Sequence, residues 1–415
     1  MVGLIAKWLI RSILFAIILL GMSACTMLGL NYASLDTENK PALSPVLTAD
    51  FDRDETRAIF ERELYGPWPG DLPYTASEPR MIDANYKDGR GTLQEVMVTI
   101  GEGETSRTFP IVLALPNRSG TDQVPLIISQ TFSSNCSVFP DSPVTAADGS
   151  VCDGSDMTGF FGLIGTQIFG TFIAKAPVER YFDAGLGYAS FYASTFVPDS
   201  NEVAQSVMAN LGPGTQPTSA LMAWAYGFEV AANIFADTPG VNSDAILSAG
   251  HSRFGKAALI AAAWSDDIAG AVTHQSGFAG AASSRSTTGE TLPRMAESYP
   301  HWVRPGLPED LEAGTELTLD QHFLIALAAP KPVFLGNGRR DVWSDPNSTY
   351  RAALAADAVY ESYGLEGLPE TEMRDFDPAA ELSYWLRAGG HSVVSEDIDA
   401  FIAFTTAHFS TSTGE

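Results

Sequence analysis

The stretch "DAILSAGHSRFGKAALIAAA", residues 244–263, decides how this chain folds. Ala245–Gly250 is a short apolar run with the composition of a buried strand. It runs into His251, Ser252 and Arg253, after which an alanine-rich pattern with helical spacing continues to about Ala263. A serine between strand and helix fits a nucleophile elbow, where flanking glycines let backbones pass closely and the hydroxyl stands up at the sheet edge. Gly250 lies two residues before Ser252, as that turn needs; Phe254 lies two after it, and the second glycine comes one position late, at Gly255. Taken alone, Ser252 reads as a nucleophile first, with the cap of the helix that follows as the alternative.

Outward from this turn, strand and helix patterns alternate. Residues 92–100, 107–117, 124–132, 185–194, 245–250, 268–277 and 331–337 read as strands, and 219–235, 321–330 and 396–408 as helices. This order predicts an α/β fold with a mainly parallel central sheet and helices on both faces. Residues 133–156 form a long Ser/Asp/Gly/Pro segment, a candidate functional insertion. No internal repeat and no second linker breaks the chain after residue 46, so 46–415 reads as one catalytic domain.

A serine hydroxyl needs a base. The six histidines are His251, His274, His301, His322, His391 and His408. In serine hydrolases of this architecture the acid and then the base follow the serine along the chain. His391, in the loop "RAGGHSV", is placed to reach Ser252; the His251 side chain is expected to point away from it. The acid that orients the imidazole is sought after strand 331–337, where Asp341 and Asp345 both lie. Asp341 is favoured, because Asp345 precedes Pro346 and reads as a helix cap. The other acid position, after strand 268–274, holds Gln275, which cannot carry charge.

A formal charge of −26 excludes ordinary nucleic-acid binding, which needs clustered Lys and Arg. Lys7 and Arg11 precede an apolar run, Ile13–Met22, too short to span a bilayer but suited to a signal peptide. "MSAC" (22–25) is similar to a bacterial lipobox, with Cys25 as the lipidated residue. Residues 1–24 therefore read as a lipoprotein-type signal peptide and 25–45 as a tether. The expected location is the periplasm or the cell surface, otherwise secretion, with Cys25 the sole membrane contact. Cys136 and Cys152 remain; in an oxidising compartment they can pair, the alternative being two buried thiols. No metal site and no cofactor motif is visible, and a monomer is expected.

Several collinear segments together resemble one family: "GHSRFGKAAL" (250–259), "SGFAGAASSR" (276–285), "GET" (289–291), "YPHW" (299–302), "DQHFLIALAAPKPVF" (320–334), "DVWSDP" (341–346) and "GGH" (389–391). They are similar to the bacterial glucuronoyl esterases, carbohydrate esterase family 15. The resemblance implies an α/β-hydrolase fold, a three-layer αβα sandwich, and cleavage of esters between 4-O-methyl-glucuronic acid on xylan and lignin alcohols. It implies Ser252 as nucleophile, His391 as base, Asp341 as acid, and Arg253 as oxyanion stabiliser through its backbone N–H and guanidinium. Lys256 and Glu290 would bind sugar hydroxyls and Trp343 would lie on the uronate ring, with Gln275 placed among the substrate-facing residues. Many members carry a glutamate at the position of Gln275, and some use it as the acid; this chain is expected to rely on Asp341. Each assignment has a plainer alternative: a surface lysine for Lys256, a salt bridge for Arg253, a core aromatic for Trp343, an exposed loop acid for Glu290. For the whole chain the alternatives are an esterase for another acylated polysaccharide or small ester, and a catalytically dead carbohydrate-binding lipoprotein.

Overall fold

The computed structural model describes residues 42–409 apart from 47, 71, 104–105, 118–121, 153–168, 209–210, 212–216 and 370–371. The segment read as a signal peptide, Cys25 and most of the segment read as a tether lie outside the described residues.

Among the described residues ten strands form one sheet in the order β1-β3-β4-β6-β5-β7-β8-β9-β10, with β2 also paired to β3. They are β1 (Tyr74–Ala76), β2 (Arg80–Asn85), β3 (Gly91–Ile100), β4 (Arg107–Pro116), β5 (Val124–Thr131), β6 (Gly187–Tyr192), β7 (Val241–His251), β8 (Gly270–His274), β9 (Val333–Gly338) and β10 (Leu382–Arg387). The expected parallel arrangement occupies β5 to β10. The N-terminal strands add an antiparallel wing through β1–β3, β2–β3, β3–β4 and β4–β6. β1 and β2 are short and mostly exposed, and so carry no alternating pattern from which a sequence could announce them.

Side chains of a strand alternate between faces, and here each face has its own core. On β5, Leu126 and Ile128 join one core and Ile127 the other; on β9, Val333 and Leu335 oppose Phe334 in the same way. The larger core takes in α1 (Arg53–Phe60), α2 (Asn201–Met208), α3 (Ala220–Ala236), α4 (Arg253–Trp264), α5 (Leu292–Ser298), α6 (Gln321–Ala328) and α7 (Pro346–Ser362). The other face is covered by the helix Val178–Asp183 and by α8 (Ser395–Phe409). Because both faces are covered, the central strands read as continuous apolar runs.

Cys136 and Cys152 are joined as a disulfide. The bridge ties the turn after β5 to the small bridge Thr145–Val151. Closing a loop of about 15 residues stabilises a chain by roughly 3 kcal/mol on entropic grounds. Cys152→Ser is therefore expected to lower the unfolding free energy in urea by about 2–4 kcal/mol; an unchanged midpoint would show that the loop adds nothing to the fold.

Candidate active site

Four adjacent parallel strands end at the same rim of the sheet. The residues that follow them are Ser252 after β7, Gln275 after β8, the Asp341 turn after β9 and the His391 loop after β10. Loops at the carboxyl ends of parallel strands are where open α/β sheets bind ligands.

Ser252 sits at φ 57°, ψ −123°, a conformation that L-residues rarely adopt and that persists only when the surroundings enforce it. Its N–H donates to His274 O at 2.8 Å and its carbonyl accepts from Lys256 N at 3.1 Å. A Cβ on Gly250 would stand 2.1 Å from Phe254 O, and one on Gly255 would stand 2.9 Å from His274 O. Both glycines are thus required for close approach, and the late glycine serves the helix–strand contact while Phe254 fills the core against Trp224. The Ser252 hydroxyl makes no capping bond to the helix it precedes. The capping alternative is set aside by that geometry.

His391 Nδ1 donates to Asp341 Oδ2 at 2.7 Å. Asp341 is 1 % exposed, and its other oxygen accepts from Ser344 N at 3.3 Å. Burial alone would raise the Asp341 pKa, but the charge and hydrogen bond of His391 and the bonds from Ser344 outweigh it and hold the carboxyl below its ordinary range. Asp345 caps α7 through Ser348 N at 3.2 Å, as the reading of that residue anticipated, and also accepts from Ser286 Oγ.

The loop carrying His391 is held from two sides. Gln275 Nε2 donates to Gly390 O at 2.9 Å and its Oε1 accepts from Ser392 N at 3.0 Å. Arg387 donates to Gly390 O and Ser392 O, and its Nε bonds both oxygens of Asp397 at 2.7 and 2.8 Å. Both ends of the Gln275 amide are therefore engaged by the loop that bears the imidazole.

His251 corrects an expectation. Its ring does not turn away from the site but lies 4.5 Å from that of His391, centroid to centroid. As the last residue of β7 it is in register with His274, and the two Nδ1 atoms are 3.0 Å apart. His274 Nε2 in turn stands 3.2 Å from Asp397. Burial, then the charges of His391, His274 and Arg387, push the His251 pKa well below its ordinary value, so its ring is neutral.

Lys256 is not a surface lysine. It is 3 % exposed, and Nζ donates to Ser276 O at 2.5 Å and Phe278 O at 2.6 Å, which leaves one proton free of these carbonyls. Burial lowers its pKa to about 8 against the pull of Glu290. Glu290 is also buried, and burial raises its pKa although Lys256, His391, Trp343 and Arg253 act the other way. Trp343 is 38 % exposed, with the Arg294 guanidinium 5.1 Å above its ring, so it is not a core aromatic. Arg253 does make a salt bridge, to Asp199. Asp199 also accepts from His301 Nε2 and Trp302 Nε1, each at 2.8 Å. Asp199 was not legible beforehand, because 54 residues separate it from Arg253 and nothing in "FVPDS" marks it. Arg253 Nε is buried with no protein acceptor among the described residues. Leaving such a donor unmet costs about 1–3 kcal/mol. Among the described residues no group of three or more His, Cys, Asp or Glu stands together as a metal site.

The family model described as "Glucuronyl esterase, fungi" matches residues 162–364. A curated prokaryotic relative, carbohydrate esterase MZ0003, is 28 % identical over 376 residues, covering 86 % of this chain and 84 % of that protein. Among solved structures, a promiscuous esterase of carbohydrate esterase family 15 from a marine bacterial metagenome superposes with a TM-score of 0.75 at 26 % identity, covering 90 % of this chain and 99 % of that one. This chain is similar to the esterases of carbohydrate esterase family 15 over most of its length. The glucuronoyl esterase of Solibacter usitatus gives 0.71 at 25 % identity over 86 % of this chain and 92 % of its own. A fungal relative, 4-O-methyl-glucuronoyl methylesterase 1 of Wolfiporia cocos, is 29 % identical over 162 residues, 37 % of this chain and 40 % of its own. The chain is a carboxylic ester hydrolase with the α/β-hydrolase fold.

Proposed function

We propose that the chain hydrolyses glucuronoyl esters by a Ser252–His391–Asp341 triad. The observation that carries this reading is the 2.7 Å bond from His391 to buried Asp341, at the rim where the strained Ser252 stands. A carboxylate accepting from Nδ1–H fixes the tautomer in which Nε2 has a free lone pair. Ser252 Oγ attacks the uronate carbonyl carbon as Nε2 takes its proton. The new oxyanion is met by the Arg253 backbone N–H, the Arg253 guanidinium and the positive end of α4. Nε2 then returns the proton to the leaving alcohol, and water hydrolyses the acyl-enzyme by the same steps. The remaining Lys256 proton and the Glu290 carboxyl suit sugar hydroxyls, and the free area of Trp343 suits the pyranose face.

Relatives named as 4-O-methyl-glucuronoyl methylesterases support the uronate as acyl group. The word "promiscuous" in the name of a structural relative supports a second reading, a wider range of esters at the same triad. Hydrolysis of benzyl glucuronate against a neutral aryl acetate separates them. A kcat/KM at least ~10-fold higher for the uronate is expected, which corresponds to about 1.4 kcal/mol of transition-state preference; equal values would favour the wider reading. The Cys136–Cys152 bond supports an exported protein, and anchoring at Cys25 is part of this proposal.

Lys256 gives the reading a pH dependence. Its ammonium loses its proton as pH rises through about 8. The expected result is an alkaline fall in kcat centred near that pH, absent from Lys256→Met, whose kcat is lower and flat. Unfolding through this group would not mimic the effect. A lysine whose folded pKa lies below its unfolded value of about 10.4 is penalised while charged, so its contribution to stability improves from about pH 8 upward. The same alkaline limb in Lys256→Met would remove Lys256 from the site.

A further inference from the structure

We propose that Asp199 is the positioning residue that aims the Arg253 guanidinium at the oxyanion, an inference that rests on the oxyanion role given to Arg253 above. Arginine is long and rotamer-rich, and an arginine one residue past the nucleophile has no intrinsic reason to fold back over it. Here every freedom of the guanidinium is removed. Its Nη1 donates to Asp199 Oδ2. Its flat faces are enclosed by Trp302, Phe132 and Tyr299, with ring centroids 5.0, 5.4 and 6.0 Å from Cζ. Tyr299 and Trp302 are themselves stacked at 4.0 Å.

The carboxylate is fixed as firmly as the cation. Oδ1 of Asp199 receives both His301 Nε2 and Trp302 Nε1, so the group cannot rotate away from Arg253. Burial and the Arg253 charge lower the His301 pKa to about 4, so at neutral pH it supplies a hydrogen bond and no competing positive charge. Trp302 acts twice, as a face for the guanidinium and as a donor to its partner. With Nη1 held on Asp199, the exposed part of the guanidinium, on a side chain 26 % exposed, is left to face a substrate oxygen. Neutralising a cation needs one carboxylate; setting its angle needs the other three contacts.

The test is a double-mutant cycle with benzyl glucuronate. Asp199→Asn places an amide N–H against either Arg253 or the His301–Trp302 pair and keeps the shape. Its kcat is expected to fall ~10–100-fold with KM within about threefold, as positioning losses do. Arg253→Ala alone is expected to fall ~10²–10³-fold, and the double variant to lie no lower than Arg253→Ala. A purely structural carboxylate would give losses that multiply, and that result, or wild-type kcat in Asp199→Asn, would overturn the inference. If Arg253→Ala itself keeps wild-type kcat, the oxyanion reading fails and the inference falls with it. Should Asp199→Asn not fold, Trp302→Phe removes one donor from Oδ1 and keeps an aromatic face. Its kcat loss must likewise vanish in the Arg253→Ala background, and persistence there would count against Asp199.

Discussion

Ser252→Ala is expected to lose at least ~10³-fold in kcat on benzyl glucuronate while retaining its fold. The loss follows from how the base is held: His391 Nδ1 is engaged by Asp341, and the proton-accepting nitrogen is useful only to an oxygen nucleophile at the elbow. The fold should hold because the Ser252 hydroxyl caps nothing, and the bonds that make the elbow come from its main chain. Ser252→Gly sharpens the experiment. It is equally without a nucleophile, but glycine is at ease at φ 57°, ψ −123°, where a side chain costs on the order of 1–3 kcal/mol. Ser252→Gly should therefore be inactive and melt higher than wild type, with Ser252→Ala near wild type. Activity surviving in either variant would remove Ser252 as nucleophile. Melting of Ser252→Gly below wild type would mean that the elbow is not under strain.

Legibility in the sequence followed the range of the interaction concerned. The elbow could be read because strand, turn and helix are contiguous, and its misplaced glycine made sense once Gly255 was seen against His274 O. His391 and Asp341 could be read because each follows a strand, and parallel strands bring such loops to one rim. Lys256 was placed on the face of Ser252, but its burial could not be read, since a helical position one turn after Ser252 says nothing of whether the segment Ser276–Phe278 will fold over it. Gln275 looked like a lost acid by comparison with relatives. Its contacts with Gly390 and Ser392 come from chain more than a hundred residues away, and only the fold exposes them. Asp199 was hidden for the same reason. Within the antiparallel wing, β3 and β4 were read but β1 and β2 were missed on different grounds: exposed strands of three to six residues have no hydrophobic period to detect.

Asp341→Asn is the sharper test of the triad, because the shape of the site survives and only the proton changes place. An asparagine amide at this position presents either N–H or C=O to His391 Nδ1. The N–H orientation forces Nδ1 to accept, so the ring proton moves to Nε2, which can then no longer take the proton of Ser252. The C=O orientation keeps the useful tautomer but withdraws the negative charge that stabilises the imidazolium. Loss on the order of 10²–10⁴-fold in kcat is expected, little altered in KM. Stability carries its own signature. The Asp341 carboxyl titrates below its ordinary range in the fold, so its contribution is full above its unfolded pKa of about 4 and disappears as pH falls through the lower folded value. Asp341→Asn should thus melt below wild type at pH 7, and the gap should close toward pH 3; a gap independent of pH would mean that the carboxylate charge is not what the fold uses. Adding Gln275→Glu to Asp341→Asn is expected to restore nothing, since the side chain at 275 faces Gly390 O and Ser392 N, and a carboxylate there loses its donor to the carbonyl. Recovery of activity would instead show that the His391 ring can turn to an acid on the neighbouring strand, and that its present orientation is imposed by Asp341 alone.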